Sequence, residues 1–279
     1  MRIPRACCAA VPGLTTQIRE TNRMAVQPLT LRDTVIGQGR PKTIVPTTAQ
    51  NATGALEQVK AIAANASADI IEWRIDYLDI ATNAPALITL AETIGQATSN
   101  KPVIATFRTK AEGGPIAIDD HDYGRVLSAL IDARAADLFD IEMFRDEAVV
   151  TSLIAKAHAS GLHVILSSHD FSGTPPVDEI VARLRRQDAL GADVLKIAVM
   201  PKQPRDVLTL LDATLQVRDE TSKPLLTMSM GALGVISRLA GETFGSSLTF
   251  GMMGKASAPG QIDVGQLQDT LEVLHSAGQ

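Results

Sequence analysis

The sequence predicts an α/β fold, a (β/α)8 TIM barrel in a single domain. From residue 42 onward, short β-branched runs alternate with Ala- and Leu-rich helical stretches, the pattern of a parallel sheet wrapped in helices. Eight such units follow one another, the number and spacing of a closed barrel. Unusual polar residues gather near the C-terminal ends of the runs, where a barrel of this kind does its chemistry. The main rival is an open doubly wound sheet, which announces itself with a glycine-rich turn after its first strand. Here that turn reads Thr47-Thr48-Ala49-Gln50-Asn51, with no G-x-G-x-x-G.

The composition fits a barrel and removes other classes. Hydrophobic residues make up 45% of the chain and aromatics only 3%, so the core is built from Val, Ile, Leu and Ala, as buried parallel sheets are. The formal net charge is -5 with no long basic run, so no nucleic acid is expected as a partner. No apolar stretch is long enough to span a bilayer, and no membrane partner is expected. The only cysteines, Cys7 and Cys8, lie in a segment unlike the rest, so the remainder holds no disulfide, cysteine nucleophile or zinc-cysteine cluster. Residues 1–23 combine a basic start with a short apolar run broken by Pro12, and Met24 offers a second start. They are expected to be a disordered extension or an upstream start, with 24–279 forming the barrel; a cleaved leader is the competing reading. The expected location is the cytoplasm.

In chain order, the first run covers 43–48 and is followed by a helix over 54–66. The second, 69–76, carries Glu72, Arg74 and Asp76 on one face, because strand side chains alternate. Three charges there imply an internal ion-pair network, a binding role, or both. After a helix over 84–97, the third run, 102–108, ends in Arg108, whose guanidinium fork at the barrel mouth suits a carboxylate or vicinal oxygens. Glu112 lies on the loop beyond, and Gly113-Gly114 lets that loop bend over a ligand. A helix over 120–136 leads to the fourth run, 138–144, with Asp140 and Glu142 on one face, able to pair with basic residues of adjacent strands. A helix over 147–160 leads to the fifth, 163–170. It ends in His169, the one histidine of five at the functional end of an expected strand. Histidine moves protons near neutral pH, although a lone histidine is also a common structural residue.

After a helix over 177–190, the sixth run, 194–200, holds Lys196 among Val194, Leu195, Ile197, Ala198 and Val199. An ammonium buried without a partner is costly, and the free amine attacks ketones and aldehydes to form a Schiff base. The alternative is a lysine paired with a carboxylate or reaching water. A helix over 204–220, a strand over 225–230 and a short polar helix over 234–240 follow. Arg238 on that helix either reaches an anion at the mouth or is a surface charge. A strand over 248–253 and a helix over 264–276 complete the repeat. The loop between them begins like a phosphate loop, but Thr249 and Ala256 stand where Walker A needs Gly and Ser or Thr. Its small residues and Pro259-Gly260 fit a mobile lid.

These segments together resemble the type I 3-dehydroquinate dehydratase (type I dehydroquinase) family. The matching stretches are Ile71-Glu72-Trp73-Arg74-Ile75-Asp76, Thr106-Phe107-Arg108 with Glu112-Gly113-Gly114, Ser168-His169-Asp170-Phe171, Lys196-Ile197-Ala198-Val199-Met200-Pro201, Gly234-Val235-Ile236-Ser237-Arg238-Leu239-Ala240-Gly241, and Ala256-Ser257-Ala258-Pro259-Gly260-Gln261. The resemblance runs from about Leu29 to the C-terminus. It implies a homodimeric (β/α)8 barrel, without metal or cofactor, that dehydrates 3-dehydroquinate to 3-dehydroshikimate in the shikimate pathway. It places the Schiff-base lysine on Lys196, the acid/base histidine on His169 and the glutamate supporting that histidine on Glu112. Substrate-binding positions fall on Glu72, Arg74, Arg108, Arg238, Ser257 and Gln261. Of these, Arg238, Ser257 and Gln261 would hold the carboxylate, and Glu72 and Arg108 the ring hydroxyls. One departure is Pro46, where the family often has a substrate-contacting serine; either Thr47 or Thr48 substitutes, or the contact is missing. The competing functions are a class I aldolase, which shares the lysine but takes sugar phosphates, and a non-catalytic binder of polyhydroxy acids.

Overall fold

The computed structural model describes residues 24–278, so the expected N-terminal extension lies outside the described residues. The first elements are a hairpin that the sequence reading did not anticipate. β1 (Leu29–Leu31) and β2 (Thr34–Ile36) pair antiparallel, with Leu29 opposite Ile36. Each strand has three residues, too short for a legible alternation. Arg32 in the tight turn adopts positive φ, and its guanidinium donates to Asp137 at 2.9 Å and Thr98 at 2.7 Å, holding the hairpin to the barrel.

All eight expected barrel strands form: β3 (Lys42–Pro46), β4 (Ile70–Arg74), β5 (Val103–Thr106), β6 (Leu138–Glu142), β7 (His163–Asp170), β8 (Val194–Val199), β9 (Leu225–Ser229) and β10 (Leu248–Phe250). They are parallel and ordered β10-β3-β4-β5-β6-β7-β8-β9. A parallel bridge between Leu225 and Ser246, with Ser247 N–H donating to the Leu225 carbonyl at 2.7 Å, closes the ring. The connecting helices are α1 (Ala52–Ala64), α2 (Ala84–Ala97), α3 (Asp120–Asp132), α4 (Glu147–Ala159), α5 (Val177–Ala189), α6 (Pro204–Glu220), α7 (Val235–Leu239), α8 (Gly241–Phe244) and α9 (Val264–Ala277). Asn51, Asn83, Asp119, Asp146 and Asp263 cap five of them with side-chain acceptors, each cap contributing about 1 kcal/mol.

Strand ends are earlier than expected. β3 stops at Pro46, β4 at Arg74, β5 at Thr106 and β6 at Glu142. Asp76 therefore belongs to a 3-10 turn beyond β4 rather than to the strand face with Glu72 and Arg74. The helix expected over 120–136 ends at Asp132, the one over 234–240 forms as α7, and α8 beyond it was not expected.

Alternation sorts the strand residues into two layers. Val45, Ile71, Trp73, Phe139, Leu166 and Ile197 belong to the core between sheet and helices. The inner face changes character halfway up. Ile44, Ile70, Ile104, Leu138, Ile165, Val194 and Leu226 form an apolar floor with Leu31 and Ile36 of the hairpin. One step nearer the strand ends, Glu72, Thr106, Asp140, Ser167 and Lys196 are all buried. The apolar floor excludes water from below, and the charges sit above it, open only toward the mouth.

Candidate active site

Lys196 stands on the inner face of β8, with its side chain 3% exposed. Its Nζ donates to Asp140 Oδ2 at 2.6 Å, lies 3.9 Å from Glu72 Oε1 and sits 4.9 Å from the centre of the Phe250 ring. Of the alternatives read from the sequence, the lysine paired with a carboxylate is the one observed. Leu195 and Ile197 belong to the outer core, while Asp140 approaches from β6, two strands away. Asp140 Oδ1 accepts Arg108 Nη2 at 2.7 Å and Ser167 Oγ at 2.6 Å. Burial alone would raise the Asp140 carboxyl; Arg108 and Lys196 overcome that and hold it far below its usual range.

Arg108 is the hub of this network. Its Nη1 donates to Glu142 at 2.9 Å and Ser167 at 3.1 Å, and reaches Glu112 at 3.4 Å. Its backbone N–H donates to Asp76 at 2.9 Å. Burial would lower this guanidinium, but Asp140, Glu142 and Glu112 raise it well above its ordinary value. Glu142 also accepts the Thr109 N–H at 2.8 Å and hydroxyl at 2.7 Å. Asp76 returns from its turn to grip Arg74 through two parallel bonds of 2.8 and 2.6 Å. Arg74 is therefore held in place, with its guanidinium also over the Tyr77 ring.

His169 lies one rung closer to the mouth. On adjacent β7 and β8, Ser167 pairs with Lys196 and His169 with Ala198, so both carry their side chains on the lysine's face. His169 Nδ1 is 2.8 Å from Glu112 Oε2, and the His169 backbone N–H donates to the same oxygen at 3.1 Å. Oε2 thus serves as an acceptor, so Nδ1 carries the hydrogen and Nε2 is left as the base. Burial, then Arg108 and Lys196, hold the imidazole well below its usual range, which keeps it neutral. Burial pushes the Glu112 carboxyl up to about 8, against the pull of Arg108. Gly113, at φ 89, follows Glu112 and lies under Phe171, so close that a Cβ there would meet the ring at 2.2 Å.

Arg238 approaches from the opposite wall. Ser237 Oγ donates to the Gly234 carbonyl at 2.7 Å and accepts Ser229 N–H at 2.9 Å, pinning α7 onto the end of β9. Gly234 permits this approach, since a Cβ would lie 2.2 Å from the Ser229 carbonyl oxygen. Arg238 is 1% exposed, its Nη2 donates to the Pro259 carbonyl at 3.1 Å, and its Nε finds no partner among the described residues. Burial alone lowers it to about 10. Ser257 and Gln261 stand beside it and bond to each other, Ser257 N–H to Gln261 Oε1 at 2.9 Å and Gln261 Nε2 to Ser257 Oγ at 3.1 Å.

One pocket at the barrel mouth brings these groups together. Glu72, Arg74, Arg108, Glu112, His169, Lys196, Arg238, Ser257 and Gln261 all line it, and Phe171, Met228, Met230 and Phe250 supply apolar wall. Thr47 and Thr48 do not line it. Thr47 Oγ1 instead accepts the Arg74 N–H at 3.1 Å, and the Thr48 backbone N–H donates to Gln58 at 2.8 Å. Ser167 was also missed, although its position two residues before His169 puts it on the same face.

The arrangement suits carbon chemistry on a small anionic ketone: a lysine, a neutral imidazole and a buried cation with no counter-charge among the described residues share one pocket. The type I 3-dehydroquinase family model matches residues 43–277. A catabolic 3-dehydroquinate dehydratase of Acinetobacter baylyi is 46% identical over 95% of this chain and 98% of its own length. A 3-dehydroquinate dehydratase of Neisseria meningitidis is 44% identical over 89% of this chain and 97% of its own. Among solved structures, the type I enzyme of Clostridium difficile, with covalently modified comenic acid, superposes with a TM-score of 0.87 at 38% identity, over 90% of this chain and 99% of that one.

Proposed function

The chain belongs to the type I 3-dehydroquinase family, and from that premise we propose that it dehydrates 3-dehydroquinate to 3-dehydroshikimate through an imine on Lys196. The observation that carries this reading is a buried lysine and a neutral histidine with a free Nε2, on adjacent strands of one pocket. Lys196 attacks the ring ketone, the carbonyl oxygen leaves as water, and the resulting iminium acidifies the neighbouring C–H. His169 Nε2 takes that proton, giving an enamine, and returns it to the ring hydroxyl as the C–O bond breaks. Water then hydrolyses the conjugated iminium, releasing the product and restoring the lysine, with one water lost overall. Glu112 orients the imidazole and faces its positive charge, as the third member of a triad does. A covalently modified acid in the Clostridium difficile relative supports a covalent nucleophile here.

Arg238 holds the substrate carboxylate, supported by its burial without a counter-charge, and Ser257 and Gln261 complete that subsite by exchanging their mutual bonds for bonds to the anion. Glu72 and Arg108 face the ring hydroxyls, and Arg74 borders them, while Arg108 also bonds Asp140 and Glu142 below the ring. In water enriched in oxygen-18, an imine path delivers label into the product ketone at the enzymatic rate, and Lys196→Ala removes that delivery. Product whose ketone keeps its original oxygen would exclude the imine. Among the described residues no helix is long and apolar enough to cross a membrane. We read the enzyme as a cytoplasmic homodimer, as the resemblance implies; a single species of monomer mass in sedimentation would reject the dimer.

A further inference from the structure

Gln187 lies in the last turn of α5, on the buried stripe of Ile180, Val181 and Leu184 that faces the barrel. It is 0% exposed. A carboxamide on an apolar stripe is destabilising unless its donor and acceptor are both paired. Both are paired on one residue: Gln187 Oε1 accepts the Lys196 N–H at 2.8 Å, and Gln187 Nε2 donates to the Lys196 carbonyl at 2.9 Å. The same Nε2 lies 3.3 Å from the Met143 sulfur. Met143 directly follows β6, which carries Asp140 and Glu142, and its N–H donates to Ser167 of β7 at 2.8 Å. One amide behind the pocket therefore touches the strand of the nucleophile and the end of the strand that supplies its counter-charge.

We propose that Gln187 is a positioning residue for the reaction: its amide fixes the Lys196 peptide and thereby aims Nζ at the substrate carbonyl. This rests on Lys196 being the nucleophile. The bond from Nζ to Asp140 cannot restrain the lysine throughout the cycle, because it must loosen when the amine attacks carbon and becomes an iminium. The peptide end stays held while the other end changes partners. A two-point grip on the N–H and C=O that flank the Lys196 Cα holds both adjoining peptide planes and sets the direction of the Cα–Cβ bond from which Nζ is carried.

The test compares wild type, Gln187→Met and Gln187→Glu by quenching with borohydride at successive times after mixing with 3-dehydroquinate, together with kcat, KM and thermal melts. Methionine keeps the length and approximate volume but offers neither bond. Glutamate keeps both bonds while its carboxyl is protonated and loses the donor when it ionises. Gln187→Met is expected to slow Lys196 adduct formation and kcat by about tenfold to a hundredfold, with a smaller change in KM. Gln187→Glu is expected to approach wild-type kcat at low pH and to fall away from it as pH rises. Wild-type adduct kinetics and kcat in folded Gln187→Met, with only the melting temperature lowered, would show the amide to be structural and overturn the proposal. Should Gln187→Met fail to fold, a Gln187→Glu profile parallel to wild type at every pH overturns it equally. Absence of a Lys196 adduct in wild type would remove the nucleophile, and this proposal with it.

Discussion

Replacing Arg238 with methionine separates what the buried charge does for folding from what it does for binding. In the free enzyme the guanidinium is disfavoured by burial, which lowers it from 12.5 to about 10, and that difference corresponds to about 3 kcal/mol against the charged form. Its one bond to a protein oxygen, the Pro259 carbonyl, returns about 1 kcal/mol. An apolar side chain of similar length avoids the desolvation and forgoes the bond, so Arg238→Met should stabilise the folded enzyme by about 2 kcal/mol. The same change removes the cation that faces the substrate carboxylate and should weaken binding by about 2–5 kcal/mol. Urea unfolding at pH 7 and steady-state kinetics on the same preparation measure both effects. A variant less stable than wild type, with KM unchanged, would mean that Arg238 is a structural charge and that the carboxylate binds elsewhere.

His169→Ala should still form the borohydride-trapped imine but lose dehydration; rapid-quench analysis with a near-normal turnover would remove the histidine from proton transfer. Glu112 gives a pH signature in stability. Its folded value of about 8 lies above the ordinary 4.5, so its favourable contribution is present at low pH and is lost as pH rises toward 8. The depressed His169 acts oppositely, but only below about 6.5, where the unfolded chain binds the proton. Between these limits wild type should lose at most about 2 kcal/mol, and Glu112→Gln should not; parallel unfolding profiles for the two would place the carboxyl in the normal range. Gly113→Ala forces a methyl against Phe171 and strains a φ of 89°, so kcat should fall with the displaced Glu112. A crystal structure of that variant with an unmoved Glu112–His169 pair would refute this.

The barrel was legible because eight runs of Val, Ile and Leu recur between helical stretches, and because parallel strands are buried on both faces. The hairpin at Leu29–Ile36 was not, since its three-residue strands show Leu31 and Ile36 as isolated apolar residues whose partners lie across the barrel floor. Glu72 and Arg74 could be placed on one face by alternation, but Asp76 reaches Arg74 from a turn, which no period reports. A carboxylate partner for Lys196 was among the readings of the sequence, but the strand that supplies it was not legible. The lysine's sequence neighbours point away from it, and the groups it meets come from Asp140 and Glu72 on other strands. Gln187 was invisible because a glutamine near a helix end is ordinary until its amide is seen on the Lys196 peptide. Met228, Met230 and Phe250 fall in expected strands, but nothing in their local sequence marks them as pocket wall.

Borohydride reduction of the enzyme in the presence of 3-dehydroquinate, followed by peptide mass mapping, tests Lys196 as the nucleophile most directly. The expected result is one reduced adduct on Lys196, appearing with loss of activity and absent without substrate. A folded, active enzyme that yields no adduct, or carries it on another residue, would contradict the assignment of Lys196 as the nucleophile.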